Sequence, residues 1–477
     1  MLSSFPLRAG VLASLLALSA CTLGPDFQRP ASTSAIASFA SAAAQPGAAS
    51  RTVEAAIDPS WWTLFDDPVL AQLERDALGA NLGLQAAAER VAQSRAALQV
   101  SGAALLPQVS AGVSAIRQRA SEKGTTPLAG QATVSQAGFD ASWEIDLWGR
   151  ARRQQESAAA QAEAAGFDAA AMRVSLSAEV ARVYLELRGV QNDLHVARSN
   201  GEIASRSLHV AERRRAQGVA TEFDTSVARA QLASVEAAIP ALEDRAAALG
   251  NALALLLAKP PRALDAQLSA AAEMPGLPGS VPVGLPSELA HRRPDILRAE
   301  AQLHAATAQI GAAQANFYPS ISLTGSVGAQ ALSFSQLGDW GARQFAFGPV
   351  LHLPLFEGGR LKGSLALTEA RQQEAAIGYQ QTVLQAWHEV DNALSGYRRV
   401  QERAAHLDVA VAENRRALVH AERRYAQGAA DYLTVLVTQQ RLLDSENAAS
   451  RGRTDTALAL VALYKALGGG WDAGQAQ

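Results

Sequence analysis

The side chains able to do chemistry in this chain are few and scattered. Eight histidines (His195, His209, His291, His304, His352, His388, His406 and His420) form no H-E-x-x-H pair, and one cysteine is too few for a thiolate zinc site. The stretch GGRLKGS (358–364) lacks the G-x-x-x-x-G-K-[ST] spacing of a phosphate loop and reads as a strand-to-helix turn. No G-x-S-x-G elbow is present, and Met1, Met172 and Met274 are too few for a methionine relay. This inventory predicts no enzyme and no cofactor. What stands out instead is a charged octet written twice, AERRRAQG at 211–218 and AERRYAQG at 421–428. The question becomes which elements carry it.

Bulk properties narrow the partners. The 477 residues are 48% hydrophobic with a formal charge of −3, enough for a sizeable core but without the basic surplus that nucleic acid requires. No apolar run after residue 21 reaches the roughly 18 residues of a membrane-spanning helix. The N-terminus differs: Arg8, the apolar run Val11–Leu18 and small residues Ser19-Ala20 form a secretory signal peptide ending at Cys21. The sequence LSAC resembles the bacterial lipoprotein box, which implies lipidation of Cys21, and Thr22 after it goes with outer-membrane sorting. A lone Cys otherwise reads as a small buried hydrophobe. Residues 31–56 are Ala/Ser-rich and read as a linker tethering the anchor.

The octet belongs to a larger repeat. At the same offset of 210, DLWGR (146–150) faces FEGGR (356–360). At an offset of 212, LLPQVSAGVSA (105–115) faces FYPSISLTGSV (317–327), and NLGLQAAAERV (81–91) faces RPDILRAEAQL (293–303). Each half therefore reads helix, strand pair, very long helix, turn, helix. A heptad seam runs through Val180, Val183, Leu187, Val190, Leu194, Ala197, Gly201, Ala204, Leu208 and Ala211. Its copy runs from Val390 through Tyr397, Leu407 and Leu418 to Ala421, with Asn414 the one polar break. Proline-free segments 150–216 and 361–426 allow helices on the order of 100 Å long, stopped by Gly218 and Gly428. Helices over 222–258 and 431–467 return. The octet is the tip of a long helical hairpin, made twice.

The strands carry the second signal. Phe139, Ala141, Trp143, Ile145 and Leu147 alternate with Asp140, Ser142, Glu144 and Asp146 across 139–147. Segments 108–118, 320–331 and 343–356 complete two strand pairs, joined by polar loops 119–131 and 334–344. One apolar and one polar face over 9–11 residues is the mark of an outer-membrane barrel, although a half-buried soluble sheet alternates in the same way. Four strands in lipid leave open edges, and single-chain barrels start at about eight, so the chain is expected to be an obligate oligomer of two or more copies.

Taken together, CTLGPDFQRP (21–30), WWTLFDDPVL (61–70), DLWGR, RRPDI (292–296), PLFEGGR (354–360) and the paired tips ending in AQG resemble the TolC-like outer-membrane efflux factor superfamily, in its lipidated NodT-type branch. The resemblance covers Cys21 to about residue 468. It implies a mainly α protein with a membrane β-barrel: a homotrimer with 12 barrel strands over a 12-helix periplasmic tunnel, in the outer membrane of a Gram-negative bacterium. Its partners would be a periplasmic adaptor and an inner-membrane pump of the RND type, together exporting drugs and toxic small molecules. It places a gate at the tips: Asp224, six residues after Gly218, and Tyr425, three before Gly428, match an aspartate and a tyrosine that link in related tunnels. An arginine often found two residues after the second glycine is Ala430 here, and pore-ringing aspartates fall on Thr434 and Val437, with Asp431 as an electrostatic substitute. The plainer role of Asp224 and Asp431 is helix N-capping.

Expected boundaries are a signal peptide over 1–20, an anchor and extended linker over 21–60, and short helices over 61–104. A strand pair over 105–148 and a hairpin over 149–259 follow. Residues 260–315 hold a linker and second-repeat helices, then a strand pair over 316–358, a hairpin over 359–468 and a tail over 469–477. Three other readings compete. A type I protein-secretion channel shares the architecture, but the lipidated N-terminus resembles the efflux branch. A periplasmic adaptor needs one hairpin flanked by a compact β domain, not two hairpins. An envelope enzyme lacks any motif.

Overall fold

A computed structural model of the chain describes residues 22–30, 50–120, 130–269, 274–284 and 289–472. The signal peptide and Cys21 lie outside the described residues, as do 31–49 and 121–129. Strands are β1 (Arg51–Val53), β2 (Gln108–Ala120), β3 (Gly130–Ile145), β4 (Ser280–Pro282), β5 (Ser320–Ala331) and β6 (Arg343–His352). The main helices are α1 (Pro68–Ala80), α2 (Leu82–Gly102), α3 (Arg150–Ala216), α4 (Glu222–Glu236), α5 (Ala238–Leu256), α6 (Pro294–Ala315), α7 (Arg360–Ala426) and α8 (Tyr432–Ala466). Helices α3 and α7 are 67 residues each, so the duplication is kept to the residue in its longest elements.

One compact unit comprises 22–30 with Arg90–Gly166 and Arg298–Gln380. Its centre is an antiparallel sheet in the order β2-β3-β5-β6. Register sorts the two faces: Ala111, Phe139, Val327 and Phe345 lie in one cross-strand row, and Ser110, Asp140 and Ser326 in the next. The apolar face is solvent-exposed, Phe347 at 83% and Val109 at 69%, so nothing among the described residues covers it. At the base of the sheet Trp148 Nε1 donates to the Pro319 carbonyl at 2.7 Å, and its ring lies 4.8 Å from Tyr318. Strand β3 is longer than the expected 139–147. It begins at Gly130 because β2 continues to Ala120 and supplies ladder partners for 130–138.

The expected anchor and extended linker over 21–60 contains an ordered stretch. Residues 22–30 are docked within this unit. Buried Arg153 donates from Nε to the Leu23 carbonyl at 3.0 Å and from Nη2 to Asp26 Oδ1 at 2.7 Å. Phe27 stacks on His304 at 4.5 Å, and Arg29 Nε reaches Glu300 Oε1 at 2.5 Å. Gly24 makes the path possible: a Cβ there would lie 2.4 Å from Gly311 Cα, at a φ of +91°.

Among the described residues the second unit takes 50–89, Phe167–Leu297 and 381–472. The expected linker includes one short strand, β1, which pairs in parallel with β4. Asp67 starts α1 by accepting from the Val69 and Leu70 amides, with Pro68 in the first turn where no amide hydrogen is needed. The core gathers Trp61, Leu70, Leu73, Leu185, Leu253 and Tyr464, with Trp61 stacked on Tyr464 at 5.2 Å. Each such Leu contributes roughly 1.5–3 kcal/mol by leaving water. Arg188, only 1% exposed, is held by the Tyr184 hydroxyl at 3.0 Å, and that hydroxyl donates to Asp67 Oδ2 at 2.6 Å. Val180, Val183, Leu187, Ala197, Ala204 and Ala211 of the heptad seam are all buried. The expected single helix over 222–258 is instead two, α4 and α5, meeting at Ala237. Pro240 has no amide hydrogen for the Glu236 carbonyl, which opens the ladder there.

Candidate functional site

The two hairpin tips lie within the second unit, and their backbones follow the same path. At the first, the Gly218 amide donates to the Arg215 carbonyl and the Val219 amide to the Arg214 carbonyl, both at 2.9 Å. At the second, Gly428 donates to Tyr425 at 3.0 Å and Ala429 to Arg424 at 2.8 Å. Both glycines are left-handed, at φ +72° and +74°, the geometry in which a glycine cap satisfies the last helix carbonyls. The sequence reading of Gly218 and Gly428 as helix stops matches these turns.

Each turn is followed by a capped helix. Thr221 and Asp224 form a reciprocal capping box: the Asp224 carboxylate accepts from the Thr221 amide at 2.8 Å, and the Thr221 hydroxyl accepts from the Asp224 amide at 3.3 Å. The second tip replaces the box with one acid, Asp431, which accepts the Thr434 amide at 2.9 Å and its hydroxyl at 2.5 Å. Those bonds, the hydroxyl first, hold the Asp431 carboxyl below its ordinary pKa. Asp431 is thus a helix N-cap in this structure, with Thr434 its donor, and Asp224 is the third-position partner of the Thr221 cap.

The structure gives Tyr425 a partner other than Asp224. The guanidinium of Arg214 lies 4.2 Å from the centroid of the Tyr425 ring, and its Nη1 donates to the Tyr425 carbonyl at 3.1 Å. Tyr425 also packs 5.4 Å from Tyr432, whose hydroxyl is pushed up to about 12, chiefly by burial. Ala211, Ala228, Leu418, Ala421, Val435 and Leu442 form the small core beneath. Neighbouring charges are paired locally: Arg215 with Glu222, and Arg229 with Glu212 at 3.3 Å. Phe223 and Val219 stand exposed at the first tip. Sequence reasoning missed Arg214 because it sits in a run of three arginines. The signal was its position, seven residues after Ser207 on the same helix face.

Among the described residues, no group of three or more His, Cys, Asp or Glu side chains is arranged to hold a metal, and no helix is long and apolar enough to cross a membrane. Comparison with known proteins decides the assignment. The outer membrane efflux protein family matches residues 73–259 and 285–469. The chain belongs to that family. It is 34% identical to the outer membrane protein OprJ of Pseudomonas aeruginosa, across 98% of this chain and 97% of that protein. It is also 35% identical to the pyoverdine export outer membrane protein OpmQ of Pseudomonas putida, across 87% and 89% respectively. Among solved structures, the outer-membrane channel OprN superposes with a TM-score of 0.88 at 34% identity, covering 94% of this chain and all of that one. This efflux protein therefore works in the outer membrane, as the channel component of a tripartite pump, and its mainly helical fold is that of TolC-type channels.

Proposed function

We propose that three copies of this efflux channel close into one tunnel, 12 strands in the membrane above 12 hairpin helices, to which a periplasmic adaptor docks an inner-membrane pump. The observation that carries it is the open sheet. Four strands end in the edges β2 and β6, each paired on one side only among the described residues, with an exposed face of Phe139, Val327, Phe345 and Phe347. In lipid every unpaired backbone group costs several kcal/mol, so further copies must supply the missing strands. Helix α2 supports the same conclusion, because Ala87 is its one buried residue.

Within this reading, Asp224, Tyr425, Asp431 and Thr434 border the periplasmic aperture, and Gly218 and Gly428 shape the tips that meet the adaptor. Cys21 carries the lipid, and the docked segment from Thr22 to Pro30 fixes where that anchor starts. The tunnel makes and breaks no bond and takes no cofactor. Cargo crosses because the pump drives it and the polar sheet face (Ser110, Asp140, Ser326) is wettable. The test is the mass of the detergent-extracted oligomer together with single-channel conductance in planar bilayers. Three chains per particle and discrete conductance steps are expected. A folded oligomer that passes no current overturns the proposal.

A further inference from the structure

The sheet of β2, β3, β5 and β6 sorts its charge by face. Its two acids, Asp140 and Glu144, lie on the polar face, whereas its three arginines, Arg117, Arg119 and Arg343, alternate with the polar positions and share the apolar face with Val109, Val113 and Phe345. All three arginines are exposed, at the end of the sheet away from α3 and α7. Arg117 Nη2 donates to Gln131 Oε1 at 3.0 Å, and the Arg343 guanidinium lies 3.5 Å from the centroid of the exposed Trp340 ring. Both partners are uncharged. From Val109 to Arg117 the strand runs about 27 Å at roughly 3.4 Å per residue, or about 21 Å of height at a tilt of about 40°, close to the roughly 25 Å apolar band of an outer-membrane barrel. The arginines therefore stand at the outer rim of that band, where a charge on the lipid face becomes tolerable because it reaches the headgroups.

The internal repeat gives the register of the seam between copies. Moving β2 by 212 and β3 by 210, the offsets present in the sequence, turns the Gln108–Ser142 pairing into Ser320–His352, which is the pairing found between β5 and β6. The same offsets carry the β3–β5 ladder onto β6 of one copy and β2 of the next. Ser135–Ala331 becomes Phe345 opposite Arg119, and Ala137–Ala329 becomes Phe347 opposite Arg117. Apolar face meets apolar face in this register. Arg343 is then the diagonal neighbour of Arg119, about 7–8 Å away and within reach of a long side chain. One copy alone cannot assemble the cluster, because β2 and β6 are the opposite edges of its sheet.

We propose that Arg117 and Arg119 of one copy and Arg343 of the next hold the phosphate-bearing headgroup of an outer-leaflet lipid at each seam of the barrel. This inference rests on the oligomeric tunnel proposed above. Guanidinium groups present forked donors that match phosphate oxygens. Phe345 and Phe347, exposed and stacked at 6.2 Å, come next along the same face toward the helices and receive the acyl chains. Trp340 holds the Arg343 guanidinium at the rim, where an indole bridges chains and headgroups. Bound phosphate also offsets the repulsion of three like charges across the seam.

Native mass spectrometry of the detergent-extracted, full-length oligomer tests this with three probes: lipid A, which carries two phosphates, its monophosphoryl form, and inorganic phosphate. The parent is expected to hold up to one lipid A per seam and to hold the monophosphoryl form several-fold more weakly. The triple variant Arg117→Gln, Arg119→Gln, Arg343→Gln is expected to bind lipid A about tenfold more weakly with the parent's number of chains per particle. Arg343→Gln alone changes one residue at a strand end, and a several-fold loss is expected from it even if the triple variant does not assemble. The proposal is overturned if either variant keeps lipid A like the parent, if the parent ignores the number of phosphates, or if inorganic phosphate displaces the lipid. It is also overturned if the variants weaken the oligomer without changing lipid binding, which would assign the arginines to stacking on Phe345 and Phe347. A parent protein that stays monomeric would instead remove the tunnel reading itself.

Discussion

Helices α2 and α6 occupy equivalent places in the two repeats, with similar length and a shared helical pattern. Their surroundings are opposite. Helix α6 buries Ile296, Ala301, Leu303, Ala308, Ile310 and Ala312 within the chain. Helix α2 buries only Ala87, and Val100, the counterpart of Ala312 at an offset of 212, is 74% exposed. The return helices divide the same way: α8 buries 16 residues, against five in α4 and α5 combined. Duplication gave the chain two copies of each contact surface but only one complete set of neighbours. The surfaces left open are those a second copy of the chain would cover.

The largest expected effect comes from placing a charge at the two matched positions. Ala312→Asp puts an unpaired carboxylate in the filled interior, where truncated buried ion pairs cost about 3–5 kcal/mol, and unfolding in denaturant should show loss of the folded subunit. Val100→Asp should leave the secondary structure of a dispersed subunit intact by circular dichroism yet lower the oligomer fraction in analytical ultracentrifugation. Equal damage from both would erase the contrast between the repeats.

A middle-sized effect concerns the filled side. Both carboxylate oxygens of Glu74 are buried with no partner among the described residues, and burial pushes its pKa well up. The folded chain therefore holds this proton to higher pH than the unfolded chain does. Stability falls as pH rises through the ordinary carboxylate range toward neutrality. Glu74→Gln should raise the midpoint of thermal unfolding at about pH 8, with the gain shrinking to nothing near pH 4. A gain of the same size at both pH values would place the carboxylate in contact with water.

The smallest effects separate the two tips. Thr221→Ala removes the hydroxyl of the reciprocal cap and should cost about 1 kcal/mol of local stability, read as faster amide exchange over 222–228. Asp431→Ala should speed exchange over 432–438 at neutral pH, with the difference from the parent vanishing in acid. The sign follows from the lowered pKa: the carboxylate's contribution is complete above the ordinary carboxylate range and is lost as pH falls through its depressed value.

Much of this was legible in the chain itself. Helix-length, proline-free periodicity placed α3 and α7 almost to the residue, because 3.6-residue repetition over 67 positions leaves little freedom in type. Gly218 and Gly428 marked their stops, since left-handed backbone favours glycine. Less was legible about the strands: β3 reaches back to Gly130 through Ala132, Thr133 and Ser135, residues whose side chains carry no sharp alternation and which the β2 ladder recruits. Three-dimensional contacts also set the partners at the tip. Asp224 is engaged with Thr221 three residues away, while Tyr425 meets an arginine 211 residues earlier in the chain.

The sequence by itself determined the duplication, the hairpins, the amphipathic strands and the absence of recognisable catalytic motifs, because each is a local periodicity or a motif read directly from residue types. Only the tertiary structure decided that residues 22–30 are docked, that Arg214 meets Tyr425, and that one copy of each repeated surface lies buried while the other stays bare. Those outcomes depend on which distant segments meet, and sequence spacing constrains such meetings only after the chain has closed on itself.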